Sequence, residues 1–101
     1  MDLLTLTGAQ KTRLRGLGQT IEVSLKIGKA GYTHALQREF SRLIEMKELV
    51  KIRIEGADRH ERAALIALVE QESGALCAGA VGHTAVFYRQ NPEPEKQLIK
   101  L

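Results

Sequence analysis

The residues best suited to binding chemistry form a short glycine loop, Gly28-Lys29-Ala30-Gly31. Glycines let a backbone come close to a ligand, and Lys29 adds a positive charge. The loop joins a segment that alternates apolar and polar residues, 21–27, to one whose apolar residues have helical spacing, 36–44. Amides without partners at the start of a helix, together with its dipole, favour an anion. The loop is therefore a candidate phosphate-binding site.

The loop does not match the established nucleotide-binding patterns. A dinucleotide-binding loop has a third glycine at G-x-G-x-x-G spacing, which is absent here. A P-loop is longer and places Ser or Thr after its lysine, whereas Lys29 is followed by Ala30. Two glycines separated by two residues also occur in ordinary strand-to-helix turns. The spacing alone leaves a structural turn and a phosphate site equally open.

Basic side chains recur around the loop. Arg38 and Arg42 lie four residues apart on the helix predicted after the loop, so they share one side of it. An earlier basic helix contributes Lys11 and Arg15. Taken singly, such residues are more often an ordinary solvated surface. Together with Lys29 they could form a patch that contacts several phosphates.

Tyr32 is the aromatic residue best placed to stack on a base, because it follows the glycine loop directly. Stacking on the sheet itself is excluded, since the first strand presents Glu22, Ser24 and Lys26 outward instead of aromatic rings. Tyr32 could contact RNA in this way or could simply fill space.

No group of residues suggests catalysis or metal binding. His34, His60 and His83 belong to three separate predicted elements and have no partner at metal-ligand spacing. Cys77 lies in an apolar run, which predicts a buried structural thiol. No Ser, Cys or carboxylate stands in the context of an activated nucleophile or an acid–base pair. We therefore expect no enzyme activity, no metal and no cofactor.

Composition predicts a small cytoplasmic protein. The 101 residues suit one domain, and the lone cysteine fits a reducing compartment. We find no signal peptide and no apolar stretch of membrane-spanning length. Residues 1–54 carry ten Lys/Arg and five Asp/Glu, a net charge of +5, whereas residues 55–101 carry five and seven, a net charge of −2. This asymmetry predicts a basic face whose usual partner is nucleic acid or an acidic surface.

Apolar periodicity and capping residues predict seven elements. Thr7 with Gln10 and Asp58 with Glu61 are spaced as capping boxes, and Gly74 marks a helix end. The third helix has an almost wholly apolar centre and is expected to be the most buried helix. The polar, proline-containing segment 91–101 is expected to be mostly disordered. The predicted elements are helix 8–17, strand 21–27, helix 34–46, strand 49–55, helix 58–73, strand 75–81 and strand 84–90.

The order α-β-α-β-α-β-β predicts a four-stranded mixed sheet. Helical crossovers make the first three strands mutually parallel, and the final hairpin makes the fourth antiparallel. Outward residues such as Lys26 and Arg53 are too polar for a sheet covered on both faces. We therefore expect residues 1–90 to form an α/β two-layer sandwich with the helices mainly on one face. The first helix would contribute Leu14 and Leu17 to the core.

Several short segments between Leu6 and Arg89 together resemble a known family. They are Leu6-Thr7-Gly8, Ile27-Gly28-Lys29-Ala30-Gly31, Glu48-Leu49-Val50-Lys51-Ile52, Ser73-Gly74-Ala75 and Val81-Gly82-His83-Thr84-Ala85-Val86-Phe87-Tyr88-Arg89. This ordered set resembles the CRM domain family (chloroplast RNA splicing and ribosome maturation), specifically its small bacterial YhbY-like members. The resemblance implies an RNA-binding domain whose sheet looks like that of the C-terminal domain of a bacterial translation initiation factor. It also implies association with precursors of the large ribosomal subunit.

The resemblance assigns RNA binding to the glycine loop and to a basic surface. Two positions depart from the family pattern: Tyr32 stands where relatives often have an aliphatic residue, and His83 stands where they often have a basic one. The candidate RNA-binding residues are Gly28, Lys29, Ala30, Gly31, Tyr32, Lys11, Arg15, Arg38 and Arg42.

These observations predict a monomeric, non-enzymatic protein that binds ribosomal RNA of the large subunit or its precursor particle. Two alternatives stay open: a protein–protein adaptor that uses the basic face, and an enzyme that binds a small phosphorylated ligand at the same loop. RNA binding predicts a steep salt dependence, whereas a metabolite site predicts a compact pocket that a mononucleotide saturates.

Overall fold

A computed structural model of the chain describes residues 5–101. Residues 1–4, where we expected no signal peptide, lie outside the described part. The elements follow the predicted order, with bounds close to those expected, and a short 3-10 helix is added in the tail. The elements are α1 (Gly8–Gly18), β1 (Val23–Ile27), α2 (His34–Lys47), β2 (Leu49–Ile54), α3 (Arg59–Ser73), β3 (Leu76–Val81), β4 (Thr84–Tyr88) and the 3-10 helix Pro94–Lys96.

The predicted capping residues define where the helices begin and end. Thr7 and Gln10 form a reciprocal capping box at the start of α1, and Asp58 and Glu61 form one at the start of α3. Each box satisfies helical amides that would otherwise lack partners. Gly74 ends α3 with a positive φ of 74°, a conformation that favours glycine.

The four strands form one mixed sheet in the order β1-β2-β4-β3. β1 runs parallel to β2, whereas β4 is antiparallel to both of its neighbours, β2 and β3. The first three strands therefore point the same way, as predicted, and β4 lies between β2 and β3. As a consequence, the β3–β4 hairpin lies at the same end of the sheet as the loop after β1.

Helices cover the two faces of the sheet unequally. The first face is covered by α2 and α3, whose side chains pack with Ile27, Ile52 and Phe87 in the larger core cluster. On the second face, Leu14 of α1 packs with Val86, Tyr88 and other residues in a smaller cluster. Phe87 and Tyr88 point to opposite sides of β4, one into each core cluster. Both are buried, because α1 covers part of the second face.

Two burial expectations are corrected. Leu14 is fully buried, but Leu17, expected in the core, is 36% exposed near the end of α1. The most buried helix is α2, which buries Phe40, Leu43 and Ile44, whereas α3 buries only Val69 and leaves Leu68 42% exposed. Because α3 lies beside α2 over one edge of the sheet, only one side of it meets the core: Leu65 and Ile66 are partly buried there, whereas Leu68 faces solvent.

The tail packs against the domain instead of leaving it. The Glu48 side chain, only 1% exposed, accepts backbone hydrogen bonds from Asn91 at 2.7 Å, Leu98 at 2.6 Å and Ile99 at 2.9 Å. Ile99 then packs against the second core cluster. These contacts differ from the expected disorder of 91–101, because a buried carboxylate supplies the acceptors that this polar segment needs.

Candidate nucleic-acid interface

The glycine loop forms a tight turn at the end of β1, one of the two edge strands. The Gly31 amide donates to the Gly28 carbonyl at 3.0 Å, and Gly31 has a φ of +77°, which favours glycine. Gly28 needs no such conformation, and a Cβ built on it would meet no atom of residues 5–101 within 4 Å. Gly31 is therefore needed for the turn, whereas Gly28 leaves open space above the backbone.

The loop offers polar groups to solvent. Gly28, Lys29 and Ala30 are exposed, and the amides of Lys29 and Ala30 donate no backbone hydrogen bond within the described residues. Thr33 caps α2 by accepting from the Leu36 amide at 3.3 Å. The result is an exposed turn, with unused donors and a cation, beside the positive end of a helix dipole. This arrangement attracts anions.

Two further segments reach the same end of the sheet. The Ile54 amide donates to the His83 carbonyl at 2.7 Å, and the Glu55 amide donates to the Ile27 carbonyl at 2.8 Å. The stem of Lys29 lies beside Gly56, where an added Cβ would stand 3.7 Å from its Cγ. The hairpin turn and the turn after β2 therefore flank the glycine loop, and His83 is exposed there.

Tyr32 is a core residue, contrary to its candidate role in base stacking. Its side chain is 7% exposed, and its ring packs edge-on against Phe40 with centroids 6.5 Å apart. Burial raises the pKa of its hydroxyl to about 12, with a smaller contribution from Glu72. The ring leaves no face for a base, so Tyr32 anchors the loop from beneath.

Arg38 and Arg42 are exposed on α2, as the spacing predicts. Arg42 is engaged with Glu39, its Nη2 lying 2.6 Å and its Nε 3.2 Å from the carboxylate oxygens. This pairing lowers the pKa of Glu39. An RNA phosphate would have to compete with that carboxylate for Arg42, so Arg38 is the more available of the two.

Lys11 and Arg15 belong to the other side of the molecule. Both are exposed on α1, which packs on the second face of the sheet, whereas α2 packs on the first. The side chain of Arg15 lies over Gly79 of β3, where an added Cβ would stand 2.3 Å from its Cδ. The structure therefore does not join the two helices into a single patch: it divides the predicted basic residues between two faces, with the glycine loop at the strand ends.

Three cations on the second face were not among the candidate site residues. Lys26 and Arg53 are paired across β1 and β2, and Lys51 lies two residues before Arg53 on the same side. The signal for them was present, because strand alternation already placed all three outward. Their polarity predicts an open sheet face, and alternation alone does not indicate a ligand.

The remaining chemical groups give no sign of a reactive centre. Cys77 is partly buried against the larger core cluster, and burial raises the pKa of its thiol, which disfavours the reactive thiolate. Within residues 5–101, no group of three or more His, Cys, Asp or Glu side chains could hold a metal ion. None of the helices described is long and apolar enough to cross a membrane.

The fold and the loop define a small α/β domain with an anion-attracting end. The sequence profile of the CRS1/YhbY (CRM) domain matches residues 6–89. An RNA-binding protein of Haemophilus influenzae is 30% identical over 96 residues, which span 95% of this chain and 97% of that protein. A Pseudomonas aeruginosa protein named as a probable RNA-binding protein is 30% identical over 98 residues, which span 97% and 94%. The chain belongs to the CRM domain family.

A solved structure confirms the fold. The solution structure of a small Staphylococcus aureus protein matches this chain with a TM-score of 0.80, at 24% sequence identity. The match covers 95% of this chain and 100% of the other. The three helices and the four-stranded mixed sheet are therefore an architecture that a solved structure shares.

Proposed function

We propose that this protein binds RNA and that its glycine loop holds backbone phosphates. The observation that carries the proposal is the exposed turn at Gly28–Gly31, whose central amides have no backbone acceptor among the described residues and whose Lys29 adds a cation. Two relatives of nearly the same length carry the name of RNA-binding proteins, which favours RNA over a small metabolite as the ligand.

The resemblance of the sequence to stand-alone CRM proteins extends the proposal to a particular RNA. The partner is large-subunit ribosomal RNA or its precursor particle, which the protein binds as a monomer in the cytoplasm. The proposed role is binding and not catalysis, in keeping with the names of the two relatives. A site built from amides and one lysine recognises phosphate without base identity.

The proposal is tested by changing the loop at a position that tolerates a side chain. Gly28→Asp places a carboxylate beside the loop amides without a steric clash, because a Cβ there meets open space. We expect RNA affinity to fall about tenfold or more at 0.1 M salt, because the carboxylate repels phosphate and can occupy the donors itself. Binding of labelled single-stranded RNA, followed by fluorescence anisotropy, gives the affinity.

A matched control is Gln71→Glu, which adds the same charge at an exposed position on the far end of α3. Thermal unfolding of both variants checks that each is folded. Affinity that is equal for Gly28→Asp and Gln71→Glu would reduce the loop to a structural turn. Competition of RNA binding by a mononucleotide at equal phosphate concentration would instead favour a small-ligand site.

A further inference from the structure

Part of the second face of the sheet is uncovered. α1 packs mainly against β3, with further contacts to β2 and β4. Leu98 and Ile99 of the tail lie near the start of β1. Between α1 and the tail, Ser24 is exposed near the start of β1, and Lys26 and Arg53 are exposed near the carboxyl ends of β1 and β2. The open area therefore begins next to the glycine loop, which follows β1 directly.

The cations on this open area form a continuous band. Lys26 stands opposite Arg53 on the neighbouring strand, and Arg53 is two residues from Lys51 on the same side. Lys51 and Arg15 then line one groove of about 500 Å³ between α1 and the sheet. Strands lie about 4.8 Å apart, so the band crosses roughly 14 Å from β1 to β3.

Few acidic groups oppose these charges. Arg53 pairs with Glu55 at 3.1 Å, but both side chains are about half exposed, so the pair is weak and can be exchanged for a phosphate. Lys26, Lys51 and Arg15 form no salt bridge with any residue from 5 to 101. Lys51 Nζ instead donates to the Gly18 carbonyl at 3.2 Å, and one Arg15 nitrogen to Thr12 Oγ1 at 3.2 Å.

The groove depends on two glycines. A Cβ on Gly79 would collide with the side chain of Arg15, and a Cβ on Gly18 would stand 2.7 Å from Val86. Gly79 therefore lets the arginine lie across β3 toward the groove, and Gly18 lets the end of α1 sit close to the sheet. Glycine inside a strand often marks such a close approach.

Among the residues that the structure describes, the same face offers no exposed aromatic ring. Tyr88 is packed against Leu14 of α1, and the large apolar side chain exposed at the hairpin end is Val81, at 77%, which is not aromatic. A base would find no aromatic ring to stack on, whereas the phosphates of an RNA strand would meet cations on β1, on β2 and over β3. The surface suits an RNA backbone and not the bases.

We propose that an RNA strand held at the glycine loop continues across this open face, with its phosphates contacting Lys26, Arg53, Lys51 and Arg15. The proposal rests on the RNA-binding function proposed above and adds a second surface to it. Contact to Arg38 and Arg42 on the first face is not required by this path. Recognition along the sheet is independent of base sequence.

The test compares two double variants that remove the same charge. Lys26→Gln with Arg53→Gln alters the open face, and Lys47→Gln with Lys100→Gln removes two exposed cations elsewhere. Each phosphate contact on a single strand contributes about 0.7 to the slope of log affinity against log salt. We expect the magnitude of the slope to be lower by about 1.4 for the sheet variant than for wild type. If the two proteins bind equally at 1 M salt, the affinity of the sheet variant is then about 25-fold lower than that of wild type at 0.1 M salt.

The outcomes separate this proposal from the function on which it rests. If wild-type protein does not bind RNA, both fail. A second outcome is that wild-type protein binds RNA, that Gly28→Asp weakens binding, and that the sheet variant binds like the Lys47/Lys100 control. In that case the RNA-binding function stands and the sheet path is overturned. Acylation of lysines with and without RNA gives a second measurement: Lys26 and Lys51 should be protected and Lys47 should not, and equal labelling of all three would also overturn the path.

Discussion

Tyr32 and Tyr88 each bury a hydroxyl group that has no hydrogen-bond partner among the described residues. Burial raises the pKa of each hydroxyl to about 12, with smaller contributions from Glu72 at Tyr32 and Glu48 at Tyr88. An unfolded tyrosine ionises near pH 10. The stability that these neutral side chains contribute is therefore complete below pH 10 and is lost as the pH rises toward 12, where only the unfolded chain has released the protons.

Tyr32→Phe removes one of these hydroxyls and keeps the ring against Phe40. We expect RNA affinity to be unchanged, because the hydroxyl is buried, and the loss of stability between pH 8 and pH 11 to be smaller than in wild type. Urea unfolding at both pH values, together with RNA binding at pH 7, checks these results. A severalfold loss of RNA affinity in the folded variant would return Tyr32 to the interface.

At the scale of elements, the tail is joined to the sheet through one buried acid. Glu48 follows α2 with a positive φ of 62°, and its backbone bonds to Ile44 and Arg89 fix its position. Both of its carboxylate oxygens accept from the tail. Because the acceptors are charged, these bonds are stronger than ordinary amide bonds. These hydrogen bonds hold the tail where Ile99 packs against the second core cluster.

Glu48→Gln replaces one of these oxygens with an NH₂ group that faces a backbone donor. We expect the free energy of unfolding to fall by about 2–4 kcal/mol, because charge-assisted bonds are lost and an amide is left without an acceptor. Glu45→Gln is the control, because Glu45 is exposed and its ion pair with Arg89 is long, at 3.8 Å. This substitution should change the free energy of unfolding by about 0.5 kcal/mol or less. Equal denaturant midpoints for the two variants would show that Glu48 does not hold the tail.

The sequence predicted those elements that depend on local chemistry. Thr7 and Asp58 cap helices where expected, and the alternation in β2 separates Ile52 from Lys51 correctly. The predictions were wrong where long-range packing determines which residues are buried. Nothing in the apolar centre of α3 shows that only one side of it meets a neighbour, and nothing near Glu48 shows that residues 91–99 return to it.

At the candidate site too, features set by local chemistry were predictable and features set by long-range packing were not. The turn at Gly28–Gly31 and its exposure follow from a strand, two glycines and a helix cap, so they were predictable. The burial of Tyr32 and the separation of Arg15 from Arg42 depend on which face each helix covers. Periodicity identifies the buried side of a helix but not the side of the sheet on which it packs.

At the scale of the whole molecule, part of the basic charge of residues 1–54 lies around one end of the sheet and its open face, and part lies on α2 over the first face. The glycine loop and the β3–β4 turn share the carboxyl end of β1 and β2, and Lys26 and Arg53 lead from there onto the second face. Such a surface attracts a polyanion from many directions and contacts its phosphate backbone at several points. A compact metabolite would use only the loop.

Sedimentation of a cell extract through a density gradient, with and without RNase, tests the central claim most directly. We predict that the protein migrates with particles of the large ribosomal subunit or its precursors, and that RNase or raised salt shifts it to the position of a small monomer. Gly28→Asp should migrate with the monomer even without RNase. A wild-type protein that stays at the top of the gradient, or one whose heavy complex survives complete RNA digestion, would contradict the account.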